Sequence, residues 1–463
     1  MKHGWFDNLG GREVSRACNI GGPARVERGP MSTSSPGHGR SLWRAALELE
    51  GHDHVAARWG AAQFFFLLCS LYVVRPLRDE LGVQSGVQNM QWLFSGTFVA
   101  MLVIVPLYGR AVARFGRRLL VPFVHGVVAS IMVLAWVLAQ SDGLLPRVWV
   151  AAGIFIWISV YNMLAVSLFW SFMADLLDRE QARRVFGLCA AGGTAGALVG
   201  PLLSASLAAR LDPHVLLLVS AALLVGALGC AVVLERRWRG RPRAGTEPEA
   251  AIGGASWAGL RRVVLSPALR EIALFVLAMT WISTVFYFAQ AEIVGTALPS
   301  PAERTVLFAR ADLAVNVLAL AVQLFVTGRL FRWLGLSWVM IALPLVSIAA
   351  LGMLAVAPVL WVVIGMQVVR RATDFALSKP ARELLYTVVS REDRFKGKSV
   401  IDLLVYRGGD ALAGWGFKAA STLGWGLSTI AWVTIPVGFV WVALARRLGR
   451  RIDGAPSPSG SSS

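Results

Sequence analysis

Residues 370–418 read RRATDFALSKPARELLYTVVSREDRFKGKSVIDLLVYRGGDALAGWGFK. Apolar runs flank this stretch on both sides, yet it carries Arg370, Arg371 and Asp374, then Asp402, Arg407, Asp410 and Lys418. Each of these charges lies within, or at the edge of, a segment long enough to cross a bilayer. A charge at mid-membrane costs roughly 2.5 kcal/mol or more unless it faces a partner or water. The stretch therefore predicts a wet, charge-lined path through a membrane, and a transporter built around it.

The rest of the composition agrees. The 463 residues are 56% hydrophobic, with a mean hydropathy of +0.61. Repeated apolar runs of about twenty residues mark membrane helices, so the lipid bilayer is an expected partner. The net charge of +18 sits in short loops between those runs. That is the pattern of cytoplasmic loops rather than of a nucleic-acid surface, and no nucleic-acid partner is expected. Cys18, Cys69, Cys189 and Cys230 are scattered, with neither metal nor disulfide spacing. His52 and His54 form a lone H-x-H that reads as a solvated loop. The spans hold no metal constellation and no Ser/His or Cys/His arrangement, and no G-x-x-x-x-G-K-[ST] occurs. Neither an enzyme, nor nucleotide hydrolysis, nor a cofactor is expected.

Along the chain, residues 1–50 lack an apolar signal core and read as a disordered cytoplasmic tail. Six apolar runs follow within 51–234, near 57–75, 91–109, 119–139, 148–173, 186–208 and 214–234. A polar linker spans 235–265. Six more runs lie within 266–447, near 269–294, 305–328, 337–357, 359–379, 399–422 and 427–445, and residues 448–463 form a Ser/Pro/Gly tail. Basic clusters follow the even-numbered runs: Arg110, Arg114, Arg117 and Arg118 after the second, Arg236, Arg237 and Arg239 after the sixth, and Arg446, Arg447, Arg450 and Arg451 after the twelfth. Both termini and the linker are therefore expected in the cytoplasm, with an even number of spans, about twelve, crossing the inner or plasma membrane. The expected fold is all-α and integral to the membrane, in two six-helix halves.

The halves also look related. GRAVARFGRR follows the second run and GRLFRWLG the eighth, so Gly109 and Gly116 share their spacing with Gly328 and Gly335. DREQARRVFG follows the fourth run and SREDRFKG the tenth. Two six-helix repeats joined by a linker are the plan of major facilitator transporters. GRAVARFGRR also resembles that superfamily's loop signature G-x-x-x-D-R-x-G-R-R. The resemblance implies a gating loop carrying Gly109, Arg114, Gly116 and Arg117, with Ala113 standing where the signature has Asp. In such folds the third helix of each three-helix unit is peripheral. Runs 3, 6, 9 and 12 here contain no Asp, Glu, Lys or Arg.

Buried charge is confined to the remaining runs. The first ends in Arg75, Arg78 and Asp79, the eighth holds Arg310 and Asp312, and the tenth and eleventh hold the opening set. Arg371 and Asp374 are three apart on one helix face, as are Arg407 and Asp410. Arg370 lies about eleven residues into its run, roughly 16 Å at the helical rise and near the midplane. Some of these charges could pair only to hold the bundle together. The basic residues outnumber the acidic ones, however, which points to an anionic solute held by Arg75, Arg78, Arg310, Arg370, Arg371 and Arg407. Asp79, Asp312, Asp374, Asp402 and Asp410 would balance charge or carry a coupling proton. Asn162, with Ser159, Tyr161 and Ser167, could offer the solute neutral hydrogen bonds or simply bond within the bundle. Gly192, Gly196 and Gly200 precede Pro201 in the fifth run, where small residues permit close helix approach or a hinge.

Three patches resemble the nucleotide (ATP/ADP) translocases of plastids and intracellular bacteria. YVVRPLRDELGV is similar to that family's Leu-Arg-Asp-Thr-Lys-Asp segment at Arg75 and Asp79, with Arg78 where the family has Lys. DFALSKPARELLY is similar to K-Y-S-L-F-D-P-T-K-E-M-A-Y at Pro380, Glu383 and Tyr386. KGKSVIDLLVYRGGD is similar to K-G-K-A-A-I-D-V-V-G-A-R-L-G-K at Lys396, Lys398, Ile401, Asp402, Arg407 and Gly409. The resemblance implies an exchange-type transporter with a nucleotide or related anionic small molecule as substrate, and a monomer is expected. Asp374 and Asp410 stand where the translocases carry Lys, so it implies the fold and exchange more firmly than it implies ATP. Proton-coupled carriage of another organic anion, or a non-transporting membrane sensor or assembly partner, are the alternatives.

Overall fold

The computed structural model describes residues 53–141, 145–238, 257–386 and 397–453. The expected N-terminal tail, most of the linker, Lys396 and the end of the C-terminal tail lie outside these residues. Among the described residues every regular element is helical. They are α1 Asp53–Gln84, α2 Met90–Gln140, α3 Arg147–Leu176, α4 Arg179–Ala208, α5 Val215–Trp238, α6 Trp257–Leu265, α7 Pro267–Ala297, α8 Pro301–Val322, α9 Gly328–Val356, α10 Leu360–Thr373, α11 Lys379–Leu385, α12 Tyr406–Thr422 and α13 Leu427–Asp453.

Among the described residues, nine stretches are long and apolar enough to cross a membrane, including Met90–Ala111 and Leu120–Gln140 within α2. Pro301–Val356 contains two of the expected runs. The remaining two runs are helical as well, but each is interrupted by a π-helical turn and carries the charges: Asp374–Ser378 joins α10 to α11, and Ile401–Val405 leads into α12. A third π turn, Gln323–Thr327, joins α8 to α9. All twelve expected runs are thus helices of an all-α membrane fold.

Several boundaries differ from expectation. The first helix continues to Gln84, so Arg75, Arg78 and Asp79 lie inside it rather than at its end. The expected loop at 109–118 belongs to the helical run of α2, in keeping with its two Ala and four Arg residues, which are good helix formers. Gly109 is buried there and Arg114 exposed, while the side chains around Gly116 and Arg117 lie outside the described residues. The corresponding GRLFRWLG does break. Gly335 has φ +74°, a left-handed conformation that suits glycine. The C-terminal tail begins later than residue 448, since α13 runs to Asp453. That carboxylate accepts hydrogen bonds from the Leu336 and Ser337 amides at 3.1 Å and from Ser337 Oγ at 2.6 Å. These are the otherwise orphaned donors at a helix start.

One buried core draws on residues 56–238, another on residues 263–448 together with Val83 and Met90. The glycine ridge of α4 packs against α1. A Cβ on Gly192 would land on Ala61 backbone, one on Gly196 on Phe65 and Cys69 backbone, and one on Gly200 on Tyr72. Close packing of α4 on α1 is therefore what these glycines permit, and it sets the position of α1, which carries the first charges of the site.

Candidate solute-binding site

The site begins with α1. Its core-facing residues, such as Leu67, Leu71, Val74, Leu77 and Leu81, are buried. That packing holds Arg75, Arg78, Asp79 and Glu80 deep in the bundle. Arg75 Nε lies 3.5 Å from Asp312 Oδ2 of α8, and Arg371 Nη2 of α10 lies 2.6 Å from Asp312 Oδ1. Asp312 is 1% exposed. These are ion pairs by distance only. Neither Asp312 oxygen, nor Arg371 Nη2, takes part in a directed hydrogen bond. Arg371 thus pairs across helices with Asp312, not with Asp374 on its own face.

Around this centre, Tyr287 of α7 donates to Asp79 Oδ1 at 2.9 Å, and Arg78 Nη1 lies 3.4 Å from the same oxygen. The Arg78 guanidinium also stacks over Phe155, 4.5 Å from the ring centroid. Arg370 is buried and donates to neutral partners, Gln367 Oε1 at 3.0 Å and Ser283 Oγ at 2.8 Å, with Phe286 beneath it. Arg407 pairs with Asp410 at 3.4 Å, as their spacing predicts, and Thr284 donates to Asp410 at 3.2 Å. Asp374, at the start of the π turn, lies in electrostatic range of Arg370 and of Lys379 one π turn later. Lys379, an exposed residue, is within electrostatic range of Arg382, Arg75 and Arg371, and its Nζ sits 3.9 Å from the Phe375 ring centroid. Six cations (Arg75, Arg78, Arg370, Arg371, Lys379, Arg407) thus gather with four carboxylates (Asp79, Asp312, Asp374, Asp410).

Three expected residues fall elsewhere. Arg310 is exposed, and at two residues from buried Asp312 it occupies the opposite side of α8. Asn162 is exposed on α3, and none of the described bonds of the cluster reaches it. Asp402 is exposed and neighbours Lys398, Arg382 and Glu383 near the start of the eleventh run, where Lys398 pairs with Glu383 at 2.5 Å.

The structure adds residues that charge counting along the sequence passed over. Glu80 of α1 and Arg304 of α8 form a buried pair at 2.9 Å. Ser283, Thr284 and Tyr287 are polar positions in the apolar run of α7, with Ser283 and Tyr287 at i,i+4 spacing, a visible signal for one polar face. Contacts between the two cores extend outward from the centre. Trp92 of α2 packs edge-on against Trp415 of α12, Trp415 Nε1 donates to Ser95 at 3.0 Å, Lys418 bonds Gln88, and Asn316 of α8 donates to the Ala197 carbonyl of α4 at 2.8 Å. Among the described residues no group of three or more His, Cys, Asp or Glu is placed to hold a metal ion.

Comparison with known proteins follows this architecture. A crystal structure of the nucleoside transporter NupG shares 12% identity over 88% of this chain and 100% of its own, with a TM-score of 0.59. An auto-inhibited POT family peptide transporter shares 15% identity over 88% of this chain and 98% of its own, at 0.60. A bacterial homologue of the human lysosomal transporter Spinster, inward-facing and unoccupied, shares 14% over 88% and 100%, at 0.56. At such identities these likenesses speak for the fold alone. No curated protein sequence matches the chain. The profile of the Major Facilitator Superfamily matches residues 56–372. That match covers well over half of the chain, and the protein belongs to the major facilitator superfamily of membrane transporters.

Proposed function

We propose that the protein is a secondary transporter for an anionic solute, exchanging nucleotides of the ATP/ADP type or a related anionic metabolite by alternating access. The observation that carries this reading is the convergence of Arg75 and Arg371 on Asp312 within a cluster where cations outnumber carboxylates. Guanidinium forks suit phosphate and carboxylate oxygens, and an intramembrane surplus of positive charge favours a negative cargo. Arg75, Arg78, Arg370, Arg371 and Arg407 would hold the solute. The protein would reside in the inner or plasma membrane as a monomer, with two six-helix halves rocking about the site and both termini in the cytoplasm. Uptake of labelled ATP into vesicles preloaded with unlabelled ADP tests it. Saturable uptake that needs internal ADP supports nucleotide exchange. Its absence in folded protein removes nucleotides and leaves smaller organic anions to be screened.

A second reading has its own support. Asp374 Oδ1 is buried without a hydrogen bond, and Asp410 is buried beside Arg407. Both are candidates to carry a proton with the solute. Uptake driven by an imposed pH gradient, with no internal counter-substrate, would favour this reading over exchange.

A further inference from the structure

Asp312 is buried more deeply than either of its partners, whose side chains are 22% exposed at Arg75 and 16% exposed at Arg371. A guanidinium holds a carboxylate best through two parallel N–H···O bonds. Here the ion pairs run from Arg75 Nε and Arg371 Nη2, and neither Asp312 oxygen accepts a directed hydrogen bond. Arg371 Nη2 therefore keeps its hydrogen-bonding capacity. Lys379 lies in range of the same two arginines. Two arginines converging on one buried, poorly bonded carboxylate have the make-up of an anion site whose occupant is built into the chain.

The contact also joins two bodies of packing. Arg75 belongs to α1, whose apolar side chains lie mainly in the core of residues 56–238, whereas Asp312 and Arg371 belong to helices of the other core. Resting on the reading of this site as an anion carrier, we infer that Asp312 is an internal stand-in for the solute. In the unloaded protein it bridges Arg75 and Arg371 and clamps α1 to α8. An arriving solute with at least two oxygen acceptors takes over both forks, displaces the carboxylate and releases the clamp. The class of solute follows from charge. A monoanion would merely replace the displaced carboxylate, whereas a group with two or more negative charges, such as a phosphate ester, satisfies the forks and Lys379 as well. The clamp also gives a reason for strict exchange, because the empty carrier is locked by its own carboxylate.

The test compares wild type with Asp312→Asn and Asp312→Glu, each first shown to be folded by its thermal transition in detergent. Removing an internal competitor raises the fraction of competent sites, so ATP should bind Asp312→Asn about tenfold more tightly, on the order of a 90% occupied stand-in. Its uptake should no longer depend on internal ADP, and Asp312→Glu should behave as wild type. Unchanged or weaker binding by Asp312→Asn, or retained dependence on ADP, overturns the inference. A second measurement needs no solute: nitroxide labels at the exposed positions Leu211 and Ala297 report the separation of the two bodies. Asp312→Asn, and independently Arg75→Gln, should lengthen that distance in the absence of ligand, and an unchanged distance in both variants overturns the clamp. If wild type binds no ATP, the nucleotide reading fails and the label distances alone decide the inference.

Discussion

Replacing Gly196 by alanine separates packing from hinging in α4. A Cβ there would overlap the Phe65 carbonyl oxygen and stand 3.0 Å from Cys69 N and 3.1 Å from Phe65 C. All three are backbone atoms of α1, so no side chain can swing aside. The helices must separate by several tenths of an ångström along a shared ridge. Overpacking of this kind costs about 1–3 kcal/mol, opposed by the up to ~1 kcal/mol that alanine gains over glycine in a helix. The expected net loss is about 1–2 kcal/mol, arising from those two terms. Gly187→Ala is the control on the same helix, since a Cβ there meets nothing within 4 Å. It should be neutral or slightly stabilising. Thermal unfolding of purified protein in detergent, followed by tryptophan fluorescence, reads both. A Gly196→Ala midpoint equal to wild type would refute the packing argument. So would a drop as large in Gly187→Ala, and a hinge reading would then be favoured if uptake alone were lost.

Other substitutions test other parts of the fold. Arg371→Gln removes one arm of the Asp312 bridge and should abolish uptake while leaving a cooperative thermal transition; wild-type transport by that variant would exclude the residue. Arg310→Gln, on the far side of α8, should leave solute affinity within about twofold, within the ±0.5 kcal/mol typical of surface changes. Glu80→Gln leaves Arg304 buried without its carboxylate and should lower stability by about 3–5 kcal/mol, whereas Glu80→Leu with Arg304→Met should recover most of it; equal melting of single and double variants would contradict this. Asp453→Ala strips three hydrogen bonds from the turn of α9 that follows the Gly335 break and should cost about 1–2 kcal/mol, the upper part of the helix-cap range, measured by the same thermal transition.

Much of the architecture is legible in the sequence because a bilayer imposes length and apolarity on each span. Runs 3, 6, 9 and 12 could be assigned as uncharged from letters alone. Helix ends were less legible, since α1 continues past its apolar segment: the charged turn of Arg75, Arg78 and Asp79 is stabilised by partners on α7 and α8 that no local pattern reveals. For the same reason the spacing places Arg371 on one face with Asp374, whereas its ion pair across helices with Asp312 has no signal in the local sequence. The π turn at Asp374–Ser378 also escapes periodicity. It inserts an extra residue into the helix and brings Lys379 within range of Asp374 and Arg371. In the translocase segment quoted above, the position of Asp374 carries Lys and that of Lys379 carries Asp. The two signs are exchanged here, so the segment keeps its net charge, a compensation visible only once the two positions are seen to face each other. Glu80 and Arg304 were passed over because each looks like an ordinary helix-end charge until the fold buries both.

The bond from Asp453 to the segment of α9 that resumes after Gly335 also bears on how the chain is made. Leu336 and the carboxylate that serves it are 117 positions apart. At synthesis rates of roughly 5–20 residues per second, this part of α9 must wait on the order of ten seconds for its partner. During that interval two amide donors depend on water or on the translocation machinery. Completion of this part of the second half is thereby tied to the arrival of the C-terminal end of α13.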